Sequence, residues 1–117
     1  MSLRDQIAAA HDLTDETIVI PEWGNAEIVI KSMSLRERAR LFEKTRGADE
    51  ELSIAEFYPY VIVMCSYDPE TNPRAFTEAD VDMLQDKSAA VLERIATAAL
   101  RISGLGVDAE KQQGNAF

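Results

Sequence analysis

The sequence predicts a mostly α-helical α+β fold, in which an N-terminal two-stranded β-hairpin packs on a bundle of about four helices. Three observations lead to this prediction. Two β-branched segments flank a turn-forming stretch, helix-capping patterns recur along the chain, and apolar residues after position 34 follow helical spacing. No internal repeat and no Pro-, Gly- or Ser-rich linker divides the chain, so we expect one globular domain over residues 1–105.

The first two predicted elements are a short helix and the hairpin. Residues 3–11 have an amphipathic pattern, but a helix this short is marginal in water and depends on docking; its apolar positions are Leu3, Ile7 and Ala10. The hairpin strands are Thr17–Ile20 and Glu27–Lys31, joined by PEWGNA. Pro21 cannot donate to a strand ladder, so the first strand ends there. Such a hairpin is barely stable alone and needs helices to cover it.

The next helix begins at Ser34, which has capping-box spacing to Glu37, and Gly47 offers its C-terminal stop. The sequence predicts an apolar stripe of Leu35, Ala39 and Phe42. The opposite face is charged and carries Arg36, Arg40, Glu43 and Lys44.

The segment 54–66 allows two interpretations. Ser53 and Glu56 repeat the capping-box spacing, and the following apolar residues fall on helical positions: Ile54, Phe57, Tyr58, Val61, Ile62 and Cys65. Residues 60–65 (YVIVMC) also form a β-branched run of strand length, and Pro59 is awkward inside a helix. We favour a buried helix, because acidic residues at its amino end interact favourably with a helix dipole and would not stabilise a strand.

The C-terminal part begins with a turn-rich connection at Asp68–Arg74. Thr77 and Asp80 give another capping pattern, and Ser88 restarts or bends the path into the longest helix, which ends near Gly104. Its predicted apolar face consists of Val91, Leu92, Ile95, Ala98, Ala99 and Ile102. Its polar face consists of Glu93, Arg94, Thr97 and Arg101. We expect residues 106–117 to form a flexible tail.

Composition excludes several classes of function. The 117 residues carry a net charge of −9 and contain one cysteine and one histidine, His11, which lies in the weak N-terminal helix. We therefore expect no His-based triad, His pair or Cys–His metal cluster within one copy of the chain. Asp68, Glu70 and Asn72 resemble the start of a calcium loop, but Pro73 and Ala79 stand where glycine and a carboxylate are needed. No Gly-rich phosphate loop is present. We therefore expect no catalysis, metal or cofactor, and a buried, inert Cys65.

Charge and hydropathy also bear on partners. The acidic balance opposes nucleic-acid binding, and no apolar run is long enough to span a membrane. The N-terminus, MSLRDQIAAAHDL, lacks the apolar region of a signal peptide, so we expect a soluble intracellular protein.

Charge separation along the chain marks candidate binding residues. Residues 31–46 contain six basic and two acidic side chains, whereas residues 47–86 contain ten acids and only Arg74 as a base. These stretches can pair within one monomer or between subunits, and the second case predicts a homo-oligomer. The candidate residues in the basic stretch are Arg36, Arg40 and Lys44. Trp23 either folds back onto the core or marks a contact site, and Phe117 is a candidate for docking into a partner groove.

Several short sequence segments, in their order along the chain, resemble the tail assembly chaperone family of long-tailed bacteriophages and prophages. They are IPEWG at 20–24, the Ser-Leu-Arg-Glu helix start, FYPYVIVMC, RAFTEADVDML at 74–84 and SAAVLERIATAALRISGL at 88–105. The chain departs from many relatives at Asn72 and Pro73, where they carry a glycine, and its last residues match nothing in the family.

The resemblance implies a non-enzymatic protein with a helix-rich domain and a small hairpin. It implies that the protein binds the tape measure protein, keeps it soluble, and helps to recruit tail tube subunits in the cytoplasm of the bacterial host, without remaining in the mature virion. The alternative from the residues themselves is a small acidic regulatory or inhibitory module that occupies a partner's basic surface.

Overall fold

A computed structural model describes residues 2–45, 54–70 and 73–105. Its elements, in chain order, are α1 (Leu3–Ala9), β1 (Asp15–Ile20), β2 (Ala26–Lys31), α2 (Leu35–Thr45), α3 (Ile54–Cys65), β3 (Ser66–Tyr67), α4 (Val81–Gln85) and α5 (Ala89–Ile102). Short 3-10 turns at Pro21–Trp23 and Glu78–Asp80 precede β2 and α4. The predicted stop at Gly47, the predicted cap at Ser53 and the predicted tail at 106–117 lie outside the described residues.

The sheet has the strand order β1-β2-β3 and is antiparallel throughout. The hairpin pairs Thr17 with Val29, and β3 adds to β2 through Ile30 and Ser66. The predicted hairpin is confirmed, with both strands starting slightly earlier than expected. The third strand was not predicted, because two residues are too short to show a strand period.

Helix α3 is the most deeply buried element and confirms the helical interpretation of residues 54–65. Phe57, Val61, Ile62 and Cys65 are fully buried. It packs against α2, α4, α5 and β2. Pro59 has no N–H to donate to the carbonyl of Ala55, four residues earlier, and Gln85 Nε2 instead donates to that oxygen at 2.8 Å.

Helix α5 confirms the predicted apolar face. Val91, Leu92, Ile95, Ala98 and Ala99 are buried. Gly104 ends the helix in the left-handed conformation, at φ 86°, which glycine adopts without steric cost. Its N–H donates to Arg101 O and the N–H of buried Leu105 donates to Leu100 O, which together form a Schellman motif.

The two predicted capping boxes within the described residues are confirmed. Glu37 N donates to Ser34 Oγ at 3.2 Å, and Ser34 N donates to Glu37 Oε1 at 3.0 Å. Thr77 N donates to Asp80 Oδ2 at 2.9 Å, and the Thr77 side chain accepts in return.

The predicted apolar stripe of α2 is wrong. Leu35 is 81% exposed and Ala39 is exposed, whereas Leu41 and Thr45 are fully buried and Phe42 is half-buried. The helix is rotated by roughly a quarter turn from the expected orientation. Thr45 tolerates burial because its hydroxyl donates to Leu41 O at 2.8 Å. On the same side, Arg38 donates to the backbone oxygen of Ser103.

Helix α1 is present but shorter than predicted, and it buries none of its residues. Ser2 caps it by accepting from Asp5 N at 3.1 Å. Leu3 is 72% exposed and Ile7 is 65% exposed. The docking on which we expected this helix to depend is therefore absent among the described residues.

Replacing Leu92 by aspartate tests the buried face of α5. The side chain is 5% exposed, so Leu92→Asp places an unpaired charge in the core and should lower the free energy of unfolding by about 3 to 5 kcal/mol. Urea unfolding followed by circular dichroism measures the loss. Ala90→Asp is the matched control, because Ala90 is exposed on the same helix and should cost less than about 0.5 kcal/mol. Equal stability of the two variants would contradict the assigned face.

Candidate functional site

The first candidate site is a cleft of about 330 Å³ between α2 and α3, closed on one side by the connection before α4. We call it the α2–α3 cleft. Its floor is apolar and comes from Tyr60, Val63, Met64 and Phe76. Its rim is charged and comes from Arg36, Glu37, Arg40, Arg74 and Glu78. A cleft with an apolar floor and a charged rim suits binding of an amphipathic partner.

Ion pairs hold the rim of the α2–α3 cleft together. Arg74 pairs with Glu37 at 3.0 Å, and Glu78 pairs with Arg40 at 3.6 Å and Lys44 at 3.2 Å. Glu37 also closes the capping box of α2, so the first turn of that helix positions the carboxylate for Arg74. These pairs join the basic α2 to the connection before α4. The two pairs of Glu78 realise, within one monomer, part of the predicted pairing between the basic stretch 31–46 and the acidic stretch 47–86. The pair of Arg74 with Glu37 has the opposite polarity and was not predicted.

The second candidate site surrounds Trp23 at the tip of the hairpin. This Trp23 cleft measures about 350 Å³ and is lined by Trp23, Phe76, Met83, Leu84 and Lys87. Trp23 is half-buried and packs against the core, so it folds back and still forms part of an open surface. The interpretation that Trp23 folds back onto the core is confirmed, and its role as a contact site stays a prediction.

An ion pair between distant parts of the chain positions Trp23. Arg94 of α5 donates to both carboxylate oxygens of Glu22, at 3.0 Å and 2.7 Å. After Trp23 the chain reverses through Gly24 and Asn25, at φ 66° and 59°, which glycine and asparagine tolerate best. The hydrogen bonds from Arg94 lower the pKa of Glu22 from 4.5 to about 2.

The structure brings the predicted site residues to different places. Arg36 and Arg40 line the α2–α3 cleft. Lys44 pairs with Glu78, which lines that cleft. Trp23 lines the Trp23 cleft. Phe117 lies outside the described residues. Six apolar lining residues were not identified as site residues from the sequence: Tyr60, Val63, Met64, Phe76, Met83 and Leu84. Phe76 was named only within the segment RAFTEADVDML at 74–84, as part of the family resemblance. It lies in a connection between helices, where no helical or strand period marks a residue.

The described residues outside the clefts include one thiol, that of Cys65. Cys65 is fully buried, as expected, and burial raises the pKa of its thiol to about 12, which suppresses thiolate formation. Within residues 2–45, 54–70 and 73–105, no three His, Cys, Asp or Glu side chains cluster as metal ligands would. Across the same residues, no helix is long and apolar enough to cross a membrane.

The fold is similar to that of a solved structure, the tail assembly chaperone of bacteriophage HK97. The two chains superpose with a TM-score of 0.56 over 85% of this chain and 95% of that chain, at 19% sequence identity. No protein-family model matches the chain, and no curated protein matches it in sequence. The likeness establishes the fold that the sequence resemblance implied.

The Glu22–Arg94 pair predicts an acid-dependent loss of stability. The pKa of Glu22 is about 2 in the folded protein and about 4.5 when the chain unfolds. Because the folded pKa is the lower one, the pair stabilises the protein above pH 4.5, and this contribution is lost as the pH falls towards 2. Glu22→Gln should therefore flatten the dependence of the melting temperature on pH across this window.

Thermal unfolding at a series of pH values, followed by Trp23 emission, measures this effect. Glu93→Gln removes an exposed carboxylate from the helix that carries Arg94 and serves as the control. Identical pH profiles for the parent and Glu22→Gln would show that the pair contributes nothing to stability.

Proposed function

We propose that this protein is a non-enzymatic tail assembly chaperone of a bacteriophage or prophage. In this proposal it binds the tape measure protein, keeps it soluble and helps to recruit tail tube subunits. It acts in the cytoplasm of the bacterial host and is absent from the mature virion. The observation that carries the proposal is the α2–α3 cleft, an apolar floor inside a charged rim, in a chain whose fold is similar to that of the HK97 chaperone.

The side chains of the α2–α3 cleft suit binding of a partner. Its apolar floor favours burial of an apolar face of a client, and the charged rim keeps the empty cleft compatible with water. Arg74–Glu37 and the pairs of Glu78 fix the rim side chains before a client arrives, which reduces the entropy lost on binding. A chaperone of this kind needs no nucleotide, because release can follow from competition by the next partner.

Co-expression with the tape measure protein of the same genome tests the proposal. We expect the tape measure protein to precipitate alone and to stay in the soluble fraction with the parent chaperone. The double variant Arg36→Glu, Phe76→Ser removes a rim cation and a floor ring, and should reduce the soluble tape measure protein about tenfold. Quantitative blotting of soluble and pelleted fractions provides the measurement.

Arg4→Glu is the control for the charge change, because Arg4 is an exposed cation on α1, outside the cleft. Circular dichroism must show parent-like melting for each variant. A tape measure protein that precipitates equally with and without the parent would refute the proposal.

Salt separates this function from that of an acidic regulatory module. Capture through an apolar floor should persist in high salt, whereas occupation of a partner's basic surface should weaken sharply. A complex with the tape measure protein that dissociates on modest addition of salt would favour the regulatory module.

A further inference from the structure

The α2–α3 cleft and the Trp23 cleft meet at Phe76, whose half-buried side chain lines both. The two clefts therefore form one path across the surface, from the first turn of α2 to the end of α4. A single partner segment that fills one cleft reaches the other by passing over Phe76.

Three partly exposed apolar side chains line the Trp23 cleft, which is one end of this path. Trp23 comes from the hairpin tip, Phe76 from the connection before α4, and Met83 from α4. Met83 is 42% exposed and, unlike the more exposed Leu35, it lines a cleft together with two other apolar side chains. Tryptophan and methionine are enriched at protein interfaces, and Trp anchors often carry most of the binding energy.

The charges along the path are unbalanced in favour of cations. Glu37 and Glu78 are each paired with rim cations. Arg36 in one cleft and Lys87 in the other have no ion-pair partner among the described residues. Two nearby carboxylates line neither cleft: Asp82 in α4 and Asp86 directly after it. In a chain of net charge −9, two such cations on one path indicate a partner that supplies carboxylates.

The path offers side chains to a partner and no strand edge. Its lining comes from helices, the hairpin tip and the connection before α4, and no residue of β1, β2 or β3 lines either cleft. A partner strand would find no ladder for its backbone N–H and C=O groups here. A helix satisfies its own backbone and binds a groove through side chains alone, so it suits this path better.

We propose, building on the function above, that the client segment is an acid-flanked amphipathic helix lying across both clefts. A large apolar side chain of this helix inserts between Trp23 and Met83. One carboxylate faces Arg36 and another faces Lys87.

Trp23 is the only tryptophan, so its emission reports occupation of the path directly. The probe is a synthetic Trp-free helix of about four turns, with leucines at i, i+3, i+4 and i+7 spacing and glutamates at both ends. We expect it to bind saturably and to shift Trp23 emission to the blue. An otherwise identical peptide with lysines at both ends should bind at least about tenfold more weakly. Equal affinity of the two peptides, or unchanged emission, would overturn the proposal.

Variants of exposed residues test the anchor and the charge separately. Met83→Ser should weaken the glutamate peptide about tenfold, while Leu35→Ser, also exposed and outside both clefts, should leave its affinity unchanged. Lys87→Glu should reduce the preference for the glutamate peptide, and Arg4→Glu should not. If Met83→Ser and Leu35→Ser weakened binding equally, or Lys87→Glu and Arg4→Glu changed the preference equally, the path would not be the binding surface.

The peptide titration and the co-expression experiment fail independently. If the parent keeps the tape measure protein soluble but shows no preference for the glutamate peptide, the assigned client chemistry is wrong and the chaperone function stands. If the preference holds but the tape measure protein precipitates, the chaperone function is wrong and the binding surface remains.

Discussion

The burial of α3 is the constraint on which the rest of the structure depends. This helix is apolar on nearly every side from Phe57 to Cys65, so it must be covered all round. Helices α2, α4 and α5 and strand β2 provide the cover. The α2–α3 cleft lies where the cover from α2 and the connection before α4 leaves Tyr60, Val63 and Met64 at the cleft floor. The candidate site thus lies over the face of the core helix on which Tyr60 is partly exposed.

Helix α5 connects this core to the hairpin. Arg94 and Arg101 pair with Glu22 and Glu16, and the hydroxyl of Ser103 accepts from Met33 N at 2.9 Å. Exposed ion pairs contribute only about 0 to 1 kcal/mol each, so their main effect is to fix orientation and not to hold the fold together. Orientation is what the Trp23 cleft requires, because Trp23 comes from the hairpin and Met83 from α4.

Features set by neighbouring residues were predictable, and features set by distant contacts were not. The Ser34 and Thr77 capping boxes and the Gly104 stop depend on residues only a few positions apart. In the observed orientation of α2, Leu41 is buried in the core and Arg38 donates to Ser103 O, 65 residues along the chain. No local period encodes such distant contacts. For the same reason, Arg36, Arg40 and Trp23 could be named as candidates from the sequence, but the path that joins their clefts through Phe76 could not be predicted.

Net charge and local charge have opposite effects on an acidic client. The charge of −9 repels such a client at long range, but this repulsion is screened beyond a Debye length of about 8 Å at physiological salt. In the proposed complex, Arg36 and Lys87 face the client carboxylates at contact while the apolar floor is buried. Added salt weakens the long-range repulsion and the contact attraction together, so the two changes offset each other and apolar burial dominates the affinity. Reversible binding that varies little with salt follows from this balance, and it suits the proposed chaperone, which must release its client.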